Sequence, residues 1–433
     1  MRLGVAIDYG KYANASSLHL IARKIFLELG KLMNKKKTFT VSALLYENIG
    51  IGDVNQHYDC ISVPNMGGYK FPHKGILTAN NVVIGLSGID EVVLGPAVFK
   101  NKLDWERVKP LISKEISNWK KDVNKINFIH VPSNSDKKQM IEYLKIPEEK
   151  LHVIYHGVDG EKFFPPKNKN EVMKKMASAF YFHRYNPYII HISESNWARK
   201  NVFRLLEAFK IAKEQGIRHN LFIIGRMDPI VYEKAQQITD VKILGFVSEE
   251  HLAMLLQGAD ALILPSLHEG FGLPLAEAMA CGVPVVTSNV FSPPEIAGSG
   301  GLFVDPYNVS DIADKIIEIS KNDSLRDSLS RNAIEESRKY SWENAAMTLL
   351  SLIEKNTKPN SKDFDFLESY DMAAYRTLVS ICQMKHDFYN TVVNDLLKCD
   401  YNRIINWALE IGLKDPDIRD YLLPFEEWLV SHS

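Results

Sequence analysis

A chain of 433 residues, 45% of them hydrophobic, holds more apolar material than one core accommodates, because single cores stop growing near roughly 250–300 residues. Two main domains are therefore expected. A formal net charge of −1 gives no overall attraction to nucleic acid, and the four cysteines, Cys60, Cys281, Cys382 and Cys399, make no C-x-x-C pair. That argues against a disulfide framework or thiolate metal site and fits buried thiols in a reducing compartment.

Charge is distributed unevenly. Residues 1–160 carry 22 Lys and Arg against 16 Asp and Glu, whereas residues 358–433 carry 8 against 13. The runs "KLMNKKKTF" (31–39) and "SNWKKDVNK" (117–125) read either as solvated helix ends or as attraction to anionic lipid or a phosphorylated substrate. The opening "MRLGVAIDYG" shows no basic-then-apolar leader, and no uncharged apolar run reaches the ~18 residues of a membrane span. The expected location is the cytoplasm, with peripheral contact at the inner membrane face open to the basic first third.

Strand-like runs alternate with stretches of helical period, as in parallel α/β layers. Strands are expected at 3–8, 39–45, 81–87, 126–131 and 152–155, with a first helix at 17–32. A second series follows at 188–193, 220–225, 241–246, 261–266 and 283–288. Gly157 to Pro187 reads as the linker between two similar halves, a helix near 341–356 as a return across the cleft, and "TKPNSKDFD" (357–365) as a second break. The domains expected are 1–165, 166–357 and a helical extension over 358–433.

Chemistry concentrates in "HEGFGLPLAEAMACGVPVVTS" (268–288). Proline is tolerated at the first helical position, so a helix is expected to start at Pro274, with Glu277 in its first turn and Glu269 in the loop before it. Such a strand–turn–helix unit places the turn at the carboxyl edge of a parallel sheet, where ligands bind. Backbone N–H groups of Gly270, Phe271, Gly272 and Leu273 then form an anion site for phosphate. Two carboxylates beside a phosphate suit a hydroxyl-rich ligand, and a nucleotide-sugar has a hydroxylated ring on either side of its diphosphate. The plain alternative for Glu277 is an acidic first turn stabilising its own helix.

These residues carry a resemblance. "EGFGLPLAEAMACGVPVV" resembles the E-x7-E signature of family-four retaining glycosyltransferases (glycosyl transferases group 1). "VPSNSDKKQMIEYLKIPEEKLHVIYHGVD" (131–159), "ARKNVFRLLEAF" (198–209) and "ILGFVSEEHLAMLLQGADALILPSLHEGFG" (243–272) are similar to further segments of that family. The resemblance implies a GT-B fold, in which two Rossmann-like domains face a cleft, the first binding acceptor and the second a nucleotide-sugar. It places Glu277 on the ribose, Glu269 on the donor sugar and Lys200 on the diphosphate, with Gly245, Phe246 and Gly10 as further donor contacts. Arg199 and Lys200, adjacent past a strand end, suit a leaving diphosphate in their own right. Otherwise "ARKN" is two solvated cations at a helix start, where the dipole disfavours them.

Two positions depart from the family pattern: Ser193 and Glu194 replace its Gly-Arg, and Ser87 and Asp90 stand where its third strand ends in a histidine. Metal is not implied, since "DFD" (363–365) and "DPD" (415–417) read better as helix caps. His156 and His268 are single histidines, and Arg226 reads as a surface arginine. The function expected is retaining transfer of a hexose, mannose or glucose, from a UDP- or GDP-sugar to a sugar, glycan, lipid-linked or small-molecule acceptor, without metal or other cofactor. Competing readings are a non-catalytic nucleotide-sugar-binding subunit and a GT-B phosphorylase or sugar-phosphate synthase.

Overall fold

In a computed structural model that describes residues 1–8, 16–36, 38–46, 58–99, 102–179, 186–193 and 197–358, each half of the chain builds one parallel six-stranded sheet. The first comprises β1 (Arg2–Asp8), β2 (Thr40–Leu45), β3 (Cys60–Gly67), β4 (Val82–Ser87), β5 (Phe128–Val131) and β6 (Leu151–Val153), in the order β2-β1-β3-β4-β5-β6. The second comprises β7 (Tyr188–Ile192), β8 (Asn220–Ile224), β9 (Val241–Gly245), β10 (Ala261–Leu264), β11 (Val285–Ser288) and β12 (Gly301–Val304), in the order β12-β11-β10-β7-β8-β9. Helices cover both faces, so central strands such as β8 and β10 are buried along their whole length. That is why they read as continuous apolar runs rather than alternating ones.

Two strands escape the periodic pattern. β3, "CISVPNMG", contains Pro64, which has no N–H for the ladder, and the register with β4 shifts between Val63 and Met66 to accommodate it. Gly85 of β4 fits beside this irregularity because a Cβ there would stand 2.0 Å from the Pro64 carbonyl oxygen. β12 is only four residues long and follows a glycine-rich turn. With β3 present, "VVIGLS" is the fourth strand of its sheet, not the third.

The segment expected as a plain linker contains a helix, Lys169–Ala179, whose Met173 and Met176 pack into the second domain's core. The crossover that follows β6 lies against the returning chain. The Val158 N–H donates to the Tyr340 carbonyl at 3.1 Å, and a Cβ on Gly157 would fall 2.1 Å from the Trp342 nitrogen. From there helix Trp342–Asn356 lays Trp342, Ala346, Leu349 and Ile353 onto the same core as Leu3, Val5 and Ile25 of the first domain. Gly10, Lys11, Glu194, Cys382, Cys399 and the extension from residue 359 lie outside the described residues.

Candidate active site

The second sheet's strand order reverses between β7 and β10, which are hydrogen-bonded neighbours. A crevice at the carboxyl ends of two such strands is the ordinary ligand site of an open α/β sheet. The loop leaving β7 carries Arg199 and Lys200; the loop leaving β10 carries His268, Glu269 and the glycine-rich turn.

Asn201 joins the two loops. It adopts a left-handed conformation, with φ 60°, at the N-cap of helix Val202–Glu214, and its Nδ2 donates to the Pro265 carbonyl at 2.9 Å and the Pro306 carbonyl at 2.6 Å. The Leu267 N–H donates to the Arg199 carbonyl at 2.8 Å. Held this way, Lys200 Nζ meets Glu269 Oε1 at 2.6 Å and an Arg199 terminal nitrogen meets Glu269 Oε2 at 3.1 Å. Arg199 also donates to the His268 carbonyl at 2.8 Å. "ARKN" is thus not a pair of solvated cations: Lys200 and Glu269 are buried. Burial alone would raise the Glu269 carboxyl, but the charges of Lys200 and Arg199 outweigh it and hold it at about 2.

The glycine-rich turn ends at Gly272, whose φ of 91° puts it in the region that favours glycine. Helix Leu273–Ala280 follows, with Pro274 in its first two positions. Because it starts one residue earlier than expected, Glu277 falls beyond its first turn, which contains no acidic residue. Ser292 supports the turn from below, its Oγ donating to the carbonyls of Glu269 (2.8 Å) and Phe271 (3.2 Å). The Phe271 ring is buried away from solvent against Tyr340 and His156, with centroids 5.3 and 5.2 Å apart, so its side chain packs where the crossover meets the returning chain and its expected ligand contact falls to the backbone. At the end of β9, Gly245 has φ +71° and Phe246 is 78% exposed; Arg226 is exposed at the end of β8.

The first domain closes the other side. Asp90 Oδ2 approaches Arg199 Nε at 3.6 Å, while Ser87 Oγ donates to Asn65 Oδ1 at 2.8 Å. The Ser133 Oγ donates to the Gly270 carbonyl at 2.7 Å, and His268 Nε2 donates to Gln139 Oε1 at 2.7 Å. Burial pulls the His268 imidazole down to about 4, leaving it neutral. Asp136, fully buried, accepts from the Gly88 N–H at 3.2 Å. Its carboxyl is raised well above the usual range, first by burial and then by Asp90, Glu295 and Glu269 nearby. A Cβ on Gly270 would stand 2.8 Å from that carboxyl, so the glycine permits the two domains to touch. Sequence reasoning missed Ser133, Asp136, Gln139 and Glu295; the only trace of the first three was their place in the segment quoted for its resemblance. Among the described residues, no three His, Cys, Asp or Glu side chains gather as a cation site requires.

A chain with two parallel six-stranded domains meeting at a switch-point crevice is a GT-B protein, and comparison with known proteins agrees. Residues 181–336, within the second domain, match the family model described as glycosyl transferases group 1. Among curated proteins, the O-antigen chain mannosyltransferase B of Escherichia coli is 37% identical over 153 residues, which are 34% of this chain and 40% of that protein. The match thus spans well under two thirds of the relative. Among solved structures, the sucrose-phosphate synthase of Thermosynechococcus elongatus superposes with a TM-score of 0.61 at 16% identity, covering 82% of this chain and 98% of that one. The Anabaena protein Alr3699/HepE, in complex with UDP and glucose, gives a TM-score of 0.58 at 16% identity over 82% of this chain and all of that one. At these identities the superpositions establish the fold.

Proposed function

We propose that the protein is a retaining hexosyltransferase that moves mannose or glucose from a UDP- or GDP-sugar to a glycan, lipid-linked or small-molecule acceptor. The observation that carries this reading is the buried Lys200–Glu269–Arg199 cluster beside the amino end of helix Leu273–Ala280, at the point where the sheet order reverses. Cations and free helix N–H groups at one crevice suit a diphosphate. As the glycosidic bond breaks, negative charge grows on that diphosphate, and Lys200 and Arg199 offset it without reorganising.

Glu269, already ionised and neutralised by its cations, is placed to accept hydrogen bonds from sugar hydroxyls without adding net charge near the phosphates. Glu277 takes the ribose, the amides of Gly270 to Leu273 take phosphate and sugar oxygens, and Gly245 with Phe246 borders the base. The incoming acceptor hydroxyl passes its proton to a donor phosphate oxygen on the face the nucleotide leaves. No protein nucleophile, metal or other cofactor is invoked. The mannosyltransferase relative supports a hexose donor, and the UDP and glucose in the Anabaena structure support a nucleotide-sugar.

The reaction is placed in the cytoplasm, with the first domain facing an anionic membrane surface when the acceptor is lipid-linked. Helix Lys102–Asp122 supports that placement. Its exposed Leu103 and Leu111 stand among exposed Lys102, Arg107, Lys109 and Lys114, the apolar-plus-basic composition of interfacial helices. The anomeric configuration of product formed from GDP-mannose or UDP-glucose with pooled acceptors tests the chemistry. An α-linked product from the α-linked donor supports retention, a β-linked product overturns it, and donor binding without product favours a non-catalytic binder.

A further inference from the structure

The two domains are joined at one place by a carboxylate bound to backbone amides. Helix Asn134–Leu144 of the first domain starts with three N–H groups that have no partner within the helix. Ser133 Oγ accepts from the Asp136 N–H at 3.0 Å. The other two are taken by Glu295 of the second domain, whose Oε1 accepts from the Asn134 N–H at 2.8 Å and whose Oε2 accepts from the Ser135 N–H at 3.1 Å. Oε1 also accepts from Asn134 Nδ2 at 2.8 Å and from the Tyr155 hydroxyl, on the crossover, at 2.9 Å. One side chain therefore ties the second domain both to the first domain and to the hinge. A charged acceptor at a helix amino end gives strong, directional bonds.

The same short stretch reaches the donor turn. Three residues before Glu295, Ser292 holds the carbonyls of Glu269 and Phe271, while across the boundary Ser133 holds the carbonyl of Gly270. Displacement of the donor turn would disturb Ser292 and Ser133, which flank the Glu295 contacts on either side of the boundary.

We infer that Glu295 is a positioning residue: a clasp that sets the closed approach of the two domains and engages in register with the donor turn. Opening the cleft must break its three hydrogen bonds to Asn134 and Ser135, and forming them brings Asp90, Gln139 and Asp136 against the second domain. The donor contacts proposed above come from the second domain, Gly10 apart, so the clasp acts chiefly on the step after donor binding, when donor and acceptor are aligned. That last point rests on the transferase reading; the clasp itself does not.

Two variants separate the clasp from simple helix capping. Glu295→Ala removes all four bonds. Asn134→Pro removes the Asn134 amide and side-chain donors, while proline suits the first helical position and Ser133 is already extended, with φ −157° and ψ 160°. Small-angle scattering and interdomain fluorescence transfer, with and without UDP and GDP, should show both variants more open than the wild type. In turnover, kcat should fall about tenfold or more at an unchanged nucleotide Kd, with Glu295→Gln recovering part of the loss. Unchanged scattering and kcat in both variants, with only a lower Tm for Glu295→Ala, would overturn the clasp and leave Glu295 as a helix cap. A wild type without turnover would count against the transferase reading alone, because the scattering comparison is read independently.

Discussion

Lys200 Nζ lies 2.6 Å from Glu269 Oε1, and both side chains are under a tenth exposed. A buried pair of this kind is costly to break from one side, of the order of 3–5 kcal/mol when the partner charge is left alone. Arg199, still 3.1 Å from Glu269, should reduce that cost in Lys200→Met. Adding Glu269→Gln to Lys200→Met should recover much of the lost stability, because no uncompensated carboxylate remains, yet turnover should stay lost. Urea midpoints and nucleotide release on the wild type, the two single variants and the double variant check this; a double variant as unstable as the sum of the singles would refute the coupling.

Two carboxyls in the cleft should pull stability in opposite directions with pH. Burial, followed by the neighbouring Asp90 charge, raises Glu91 from 4.5 to about 7. The stability it contributes is complete below pH 4.5 and is lost as pH rises to about 7, where the folded protein must ionise it. Glu269, held at about 2, contributes stability above pH 4.5 that is lost as pH falls toward 2. Melting temperatures of the wild type and Glu91→Gln should therefore diverge between pH 4.5 and 7, the variant losing less as pH rises. Parallel curves over that window would show that Glu91 does not titrate there.

Phe246 stands 78% exposed at the end of β9, so truncating it should change stability by no more than about 0.5 kcal/mol. Stacking of a base on an aromatic ring is worth about 1–3 kcal/mol. Phe246→Ala should accordingly weaken UDP or GDP binding by roughly tenfold. Calorimetric titration measures both nucleotides, and an unaltered Kd would remove Phe246 from the base site.

Helix Lys102–Asp122 offers a test of membrane contact. The protein should sediment with anionic vesicles at low salt and be released as ionic strength approaches ~0.15 M, where charges are screened beyond about 8 Å. Leu103→Ser with Leu111→Ser should weaken sedimentation without affecting folding, since both leucines are exposed. Equal sedimentation with neutral and anionic vesicles, or none with either, would count against this surface.

What could be read from sequence follows from how each feature is encoded. β8 and β10 were legible because strands buried on both faces are uninterrupted apolar runs, and the glycine-rich turn was legible because Gly272 and Pro274 each have a local conformational meaning. β3 was not, because Pro64 and Asn65 interrupt its pattern and its strand character comes from pairing with β1 on one side and, through a shifted register, β4 on the other. In the site, Lys200 and Glu269 were each named from local chemistry, but their pairing across 69 residues depends on β7 and β10 being neighbours. Glu295 was missed for the same reason: in sequence it is an acidic residue opening a short helix, and its four donors all come from residues 134–155.

The most direct test of the central claim is nucleotide release from a panel of UDP-, GDP- and ADP-sugars, with and without pooled acceptors, comparing the wild type with Glu277→Ala and Lys200→Met. The account predicts acceptor-dependent release from one donor, abolished or strongly reduced in both variants. Binding of a nucleotide-sugar with no release from any donor, or release that neither variant alters, would contradict it.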